Sequence, residues 1–79
     1  MQNGLHRLAE EFPNFKDKIH EMKMDNRHFK RLFDEYEEID REIYNSENNI
    51  KILSNEHEEE LKKKRLKLKD ELYGILSAA

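Results

Sequence analysis

From Phe29 to Ile43, and again from Leu61 to Ile75, apolar side chains recur at helical intervals through a background of charge. Steps of three and four residues keep side chains on one face of an α-helix and scatter them over both faces of a strand. The first run is Phe29, Leu32, Tyr36, Ile39 and Ile43, widened by Phe33. The second is Leu61, Leu68, Leu72 and Ile75, with Leu66, Tyr73 and Leu76 on its shoulder. An earlier series, Leu5, Leu8, Phe12, Phe15, Ile19 and Met22, shows the same rhythm. Charged residues make up 42% of the 79-residue chain and hydrophobic ones 35%, so the buried face of each element has to be narrow. That balance suits helices with one apolar stripe, whereas a sheet sandwich needs more turns than two Gly and one Pro provide.

The boundaries follow from local chemistry. Proline lacks the N–H required inside a helix but suits a first turn, so Pro13 or Asn14 is expected to start one. Asp25-Asn26-Arg27-His28 shifts the apolar stripe by about one position and offers two capping side chains, which predicts a bend there. Asn45–Asn55 is rich in Asn and Ser, residues that compete with helix by bonding to their own backbone. This segment is expected to connect the two long helices and to bury Ile50, Ile52 and Leu53 at their end. Asn55 followed by Glu58 has the spacing of a capping box. The expected organisation is one small domain: a flexible or short helical arm over 1–12, helices over 13–24, 27–45 and 55–77, and a connection over 46–54.

Two long helices joined by a short connection pack as antiparallel neighbours. With the turn centred near residue 50, Ile39 is expected to face Leu61, Leu32 to face Leu68, and Phe29 to face Leu72. The fold class expected is therefore all-α, an antiparallel helical hairpin with a short N-terminal helical segment. Its core or interface set is Phe29, Leu32, Phe33, Tyr36, Ile39, Ile43, Leu61, Arg65, Leu68, Leu72 and Ile75. Phe33, Tyr44, Leu66 and Tyr73 are expected to leave a second apolar surface. A chain this small often needs a staple, and self-association is the one available, giving a homodimer built as a four-helix bundle.

The basic run Lys62–Lys69 holds six Lys or Arg in eight positions, which suits phosphate binding through counterion release. Local partners argue against that use. Glu58–Lys62, Glu59–Lys63 and Glu60–Lys64 are acid-before-base pairs four residues apart, and Asp34, Glu35, Glu37 and Glu38 are expected opposite the run. A nucleic-acid patch of Lys62, Lys63, Lys64, Lys67 and Lys69 is thus the weaker alternative. Arg65 interrupts the stripe between Leu61 and Leu68, facing Tyr36 and Glu35, and is expected to lay its stem along the core and pair with a carboxylate that helps fix register.

His6, His20, His28 and His57 show no metal-ligand spacing, and no metal or other cofactor is expected. No glycine-rich phosphate loop is present, acid–base pairs are too common to mark a catalytic one, and a non-enzymatic protein is the natural reading. The aromatics Phe12, Phe15, Phe29, Phe33 and Tyr36 fit a core better than a docking groove for a partner helix, though an unidentified protein partner is compatible with them. The absence of Cys fits a reducing compartment, and no uncharged run approaches the roughly 18 residues of a membrane span. No membrane partner is expected, and the cytoplasm is the expected location.

Four segments then resemble a known family: Glu11-Phe12-Pro13-Asn14-Phe15; Ile19-His20-Glu21-Met22-Lys23; His28-Phe29 with Arg31-Leu32-Phe33-Asp34-Glu35-Tyr36; and Leu61 through Tyr73. In this order, spanning about residues 5–76, they are similar to the YdcH-like family of small bacterial proteins, a domain family of unknown function. The resemblance implies an all-helical hairpin in a bacterial cytoplasm. It brings no catalytic residue with it. The chain departs from the family most in the Asn-rich connection.

Overall fold

Asn26 is where the chain turns. Its backbone is extended (φ −126°, ψ 107°) and its side-chain Oδ1 accepts a 3.0 Å hydrogen bond from the Phe29 N–H. That bond satisfies one of the four amide donors a helix start leaves unpaired. The bend expected over 25–28 is therefore a true break, with one helix ending at Asp25 and the next beginning at Arg27.

The computed structural model describes residues 7–48 and 53–78. Their elements are α1 (Leu8–Glu11), a 3₁₀ turn (Pro13–Phe15), α2 (Lys16–Asp25), α3 (Arg27–Glu47) and α4 (Asn55–Ala78). The protein is all-helical, with no strand among the described residues. Leu5, Ile50 and Ile52, expected to be buried, lie outside the described residues, as do His6 and part of the connection. Pro13 opens the 3₁₀ turn rather than an α-helix, and the Phe15 N–H donates to the Phe12 carbonyl at 2.9 Å. Proline's fixed φ suits this tight first turn, and α2 continues from it.

At the start of α4 the cap is Ser54, not Asn55. The Ser54 hydroxyl accepts from the His57 N–H at 3.2 Å, and its carbonyl accepts from the Glu58 N–H at 2.9 Å. The expected capping box is thus replaced by a simple serine cap one residue upstream, since the third helical position after Ser54 is His57.

α3 and α4 pack against each other along most of their length, and α4 at 24 residues matches the 37 Å long dimension of the molecule. Phe29, Phe33, Tyr36, Ile39 and Ile43 from α3 meet Leu61, Leu68, Leu72 and Leu76 from α4 in one buried cluster. α1 adds Leu8 and α2 adds Ile19 to it, while Leu32, Leu53, Phe12, Phe15, Met22 and Ile75 pack at its edge. Leu76 rather than Ile75 is the fully buried residue at the end of α4.

The second apolar surface expected from Phe33, Tyr44, Leu66 and Tyr73 is smaller than the pattern suggested. Phe33 is buried because α2 packs back on α3, placing Lys23 Nζ 4.4 Å from the centroid of its ring. Tyr44 is half-buried, and Leu66 and Tyr73 stay exposed.

Candidate functional site

The chemistry of this chain concentrates where the basic run of α4 meets α3 and the N-terminal segment. Arg65 projects from the buried side of α4, between Leu61 and Leu68. Its Nη1 donates to Asp40 Oδ1 at 2.8 Å, with the Asp40 side chain 1% exposed and that of Arg65 15% exposed. The expected carboxylate partner of Arg65 is Asp40, while Glu35 was the acid expected to face it. The residues that meet lie further along α3 than a turn centred at residue 50 predicts. Lys62 likewise reaches Glu47 at 3.6 Å rather than the acids between 34 and 38.

Tyr36 sits beside this pair, fully buried. Burial holds its hydroxyl well above the ordinary tyrosine range, the negative charges of Asp40 and Glu11 add to the effect, and Arg65 opposes them. Tyr36 is thus a neutral hydrogen-bonding phenol at any physiological pH. No buried side-chain nitrogen or oxygen among the described residues lacks a hydrogen-bond partner. A satisfied polar cluster of this kind specifies geometry, since each member is costly to orphan.

α1 closes the cluster from above. Four residues are too few to stand as a helix alone, so its tertiary contacts hold it. Glu11 bonds Lys69 of α4 at 3.0 Å, Arg7 bonds Glu37 of α3 at 2.9 Å, and Leu8 is buried between them. Phe12 and Phe15 then pack on Tyr73, with ring centroids 5.1 and 5.9 Å away.

The five lysines of the alternative nucleic-acid patch divide into two sets. Lys62 is engaged by Glu47 and, at 4.0 Å, by Glu58, while Lys69 is held by Glu11. Lys63, Lys64 and Lys67 are exposed and form no ion pair with other described residues. Of the three intrahelical pairs expected, Glu58–Lys62 is the one within ion-pair reach.

The surface hollows are shallow. One of about 160 Å³ is lined by Tyr36, Lys62, Arg65, Leu66 and Lys69. A wider one of about 380 Å³ lies on the acidic face of α3, over Asp34, Glu38 and Glu42. Neither converges a nucleophile, a base and an electrophilic donor on one point. Among the described residues no group of three His, Asp or Glu side chains is placed to hold a metal ion, and no helix is long and apolar enough to cross a membrane.

The expected core set falls in place as follows. Phe29, Phe33, Tyr36, Ile39, Ile43, Leu61, Leu68 and Leu72 are buried, Leu32 and Ile75 partly so, and Arg65 is half-buried on Asp40. The core set left out Leu8, Ile19 and Leu76, which the apolar pattern contained, and the pattern missed Asp40. Asp40 follows Ile39 directly and gave one signal only: at four residues from Tyr36 and three from Ile43, it shares the buried face.

A family model described as "Protein of unknown function (DUF465)" matches residues 29–76, more than half of the chain. The chain belongs to the DUF465 family. The match runs from Phe29 in α3 to Leu76 in α4, so most of the helix pair and its Arg65–Asp40 contact lie inside the DUF465 segment. The uncharacterized protein YdcH of Escherichia coli strain K12 is 37% identical over 65 residues, covering 82% of this chain and 88% of that protein. The uncharacterized protein YdcH of Shigella flexneri matches to the same extent. These relatives reach beyond the family model into further residues of the chain, yet bring no described activity. No solved structure matches at a significant level.

Proposed function

We propose that this DUF465 member is a non-enzymatic, cytoplasmic helical-hairpin protein that acts through self-association and protein–protein contacts. The observation that carries the reading is the exposure of Leu66 and Tyr73, at 55% and 47%, on a helix whose opposite face is already fully packed. The polar cluster of Tyr36, Asp40 and Arg65 serves to set the register of the two arms, which the contacts Lys62–Glu47 and Arg65–Asp40 support as antiparallel. Apolar side chains left on such a rigid arm are the natural anchors of an interface. Sedimentation equilibrium across the micromolar range tests the reading. A mass that rises from one chain to two supports it, and a single-chain mass at every concentration overturns it.

A second reading rests on Lys63, Lys64 and Lys67, the exposed cations of the run. It makes the chain a nucleic-acid-associated protein, with binding that weakens steeply as salt is added. Changing these three lysines to Gln abolishes such binding while leaving the paired Lys62 and Lys69 in place. A wild-type protein that binds neither DNA nor RNA at low salt removes this reading.

A further inference from the structure

The outward face of α4, opposite the buried Leu61, Leu68 and Leu72, carries Glu59, Lys63, Leu66, Asp70 and Gly74, all exposed, with Tyr73 at its edge, packed on Phe12 and Phe15 yet still exposed. Isolated exposed leucines are ordinary. Three features together set this face apart.

The first is its order. Leu66 has a base three residues before it, Lys63, and an acid four residues after it, Asp70. Seven residues out on either side stand a carboxylate, Glu59, and a phenol, Tyr73. The stripe therefore complements itself when reversed. If a second α4 approaches antiparallel with its axis of symmetry at Leu66, Leu66 meets its own copy and Lys63 comes beside the second copy's Asp70, twice. Glu59 comes beside the Tyr73 hydroxyl of that copy, also twice. An interface with two-fold symmetry requires this self-complementarity, because each side must supply what the other lacks.

The second is Gly74. It lies inside α4, four residues before its last residue, and a Cβ built there would meet nothing within 4 Å. No packing among the described residues calls for glycine, although glycine in a helix interior costs roughly 0.5–1 kcal/mol relative to alanine. A missing side chain on the outer face leaves room for another backbone to approach.

The third is electrostatic. Lys62, Arg65 and Lys69 are neutralised from within the chain. The outward stripe itself contributes Glu59 and Asp70 against Lys63, with Lys67 at its edge. Two copies can thus meet without net repulsion, whereas the same acids oppose a phosphate backbone lying along this face.

We infer that the self-association surface is this face of α4, closed on a second copy of the chain about an axis at Leu66. The inference rests on the self-association proposed above and adds the face, the direction and the residues.

The chain has no cysteine, so a single introduced thiol reports position cleanly. In the full-length protein, Leu66→Cys under mild copper–phenanthroline oxidation is expected to yield a disulfide-linked dimer at concentrations where the wild type associates. Lys64→Cys, turned away from the stripe, is expected to crosslink far less. Lys63→Asp and Asp70→Lys should each weaken association about tenfold, since each converts two attractions into repulsions. The double variant should return toward the wild-type constant. Circular dichroism of each variant verifies that the helices are intact, and any variant that loses helix is replaced by the milder Lys63→Gln or Asp70→Asn, for which weakening without mutual rescue is expected.

Two results overturn the inference, and they differ. A wild type that dimerises with an affinity indifferent to Lys63, Leu66 and Asp70, and whose Leu66→Cys form does not crosslink, shows that self-association uses another face. A wild type that stays monomeric throughout removes both the inference and the reading beneath it.

Discussion

Arg65 reaches from α4 to within 2.8 Å of Asp40 on α3, and the carboxylate it meets is the most deeply buried charged group described in the molecule. A buried pair of this sort adds little net stability over an apolar pair of the same volume, but breaking it on one side is costly. Asp40→Ala should therefore destabilise the fold by about 3 kcal/mol, somewhat less than a fully enclosed pair because Arg65 keeps some contact with water. The double replacement Asp40→Leu with Arg65→Met should recover most of that loss. Urea denaturation of the wild type, the single variant and the double variant measures the recovery. A double variant no better than the single one would mean that Asp40 is held by something other than Arg65.

Core packing gives a separate measure. Leu72 is completely buried and Leu68 nearly so, so truncating either to Ala should cost about 2–5 kcal/mol through lost burial and the cavity left behind. Leu66→Ala, on the exposed face, should cost far less in dilute solution. Comparable losses at Leu66 and Leu72 would contradict the orientation of α4.

These two tests touch what was legible in the sequence and what was not. Phe29, Tyr36, Ile39, Ile43, Leu61, Leu68 and Leu72 were readable because a helix converts steps of three and four into a face, whatever lies opposite. The partner of Arg65 was not readable. Asp40 is one of 18 acidic residues, and choosing among them needs the register of α3 against α4. What covers Phe33, a member of the expected core or interface set, was hidden: its stripe position shows an apolar shoulder, but only the break at Asn26 lets α2 turn back over it. The cap at Ser54 was displaced by one residue because Asn55 and Ser54 both carry the right chemistry, and spacing to Glu58 favoured the wrong one. The candidate interface was partly legible, since Leu66 and Tyr73 stand off the main stripe, while the vacancy around Gly74 required coordinates.

The cap at Asn26 makes its own prediction. Asn26→Ala removes the acceptor for the Phe29 N–H and should lower stability by about 1 kcal/mol, whereas Asn26→Gly should cost only a few tenths. Thermal unfolding of the pair gives the ranking. Equal losses would show that the side-chain bond is not what stabilises the start of α3.

Tyr36 predicts a pH dependence with a definite sign. Its proton is held more tightly in the folded state than in the unfolded chain, where the phenol titrates near 10.0. Above that pH the unfolded state loses its proton first, so folding stability is fully present below about 10 and falls as pH rises further. Lysines and the other tyrosines titrate in the same window, and Tyr36→Phe separates their contribution. Urea midpoints measured from pH 8 to 11 should fall steeply for the wild type and more gently for Tyr36→Phe. Parallel curves would show that the buried phenol is not the group responsible.

Gly74 supplies the last test, because folding and association pull it in opposite directions. A methyl group there enters open space within the chain, so Gly74→Ala should raise the stability of the isolated molecule by about 0.5–1 kcal/mol. The gain belongs to the monomer and should appear in denaturation at low protein concentration. At high concentration the same methyl stands between two backbones, and the advantage over wild type should shrink or reverse as association is weakened. A gain that is constant across concentrations would mean that nothing approaches this face, and that its glycine answers to no contact of the folded protein.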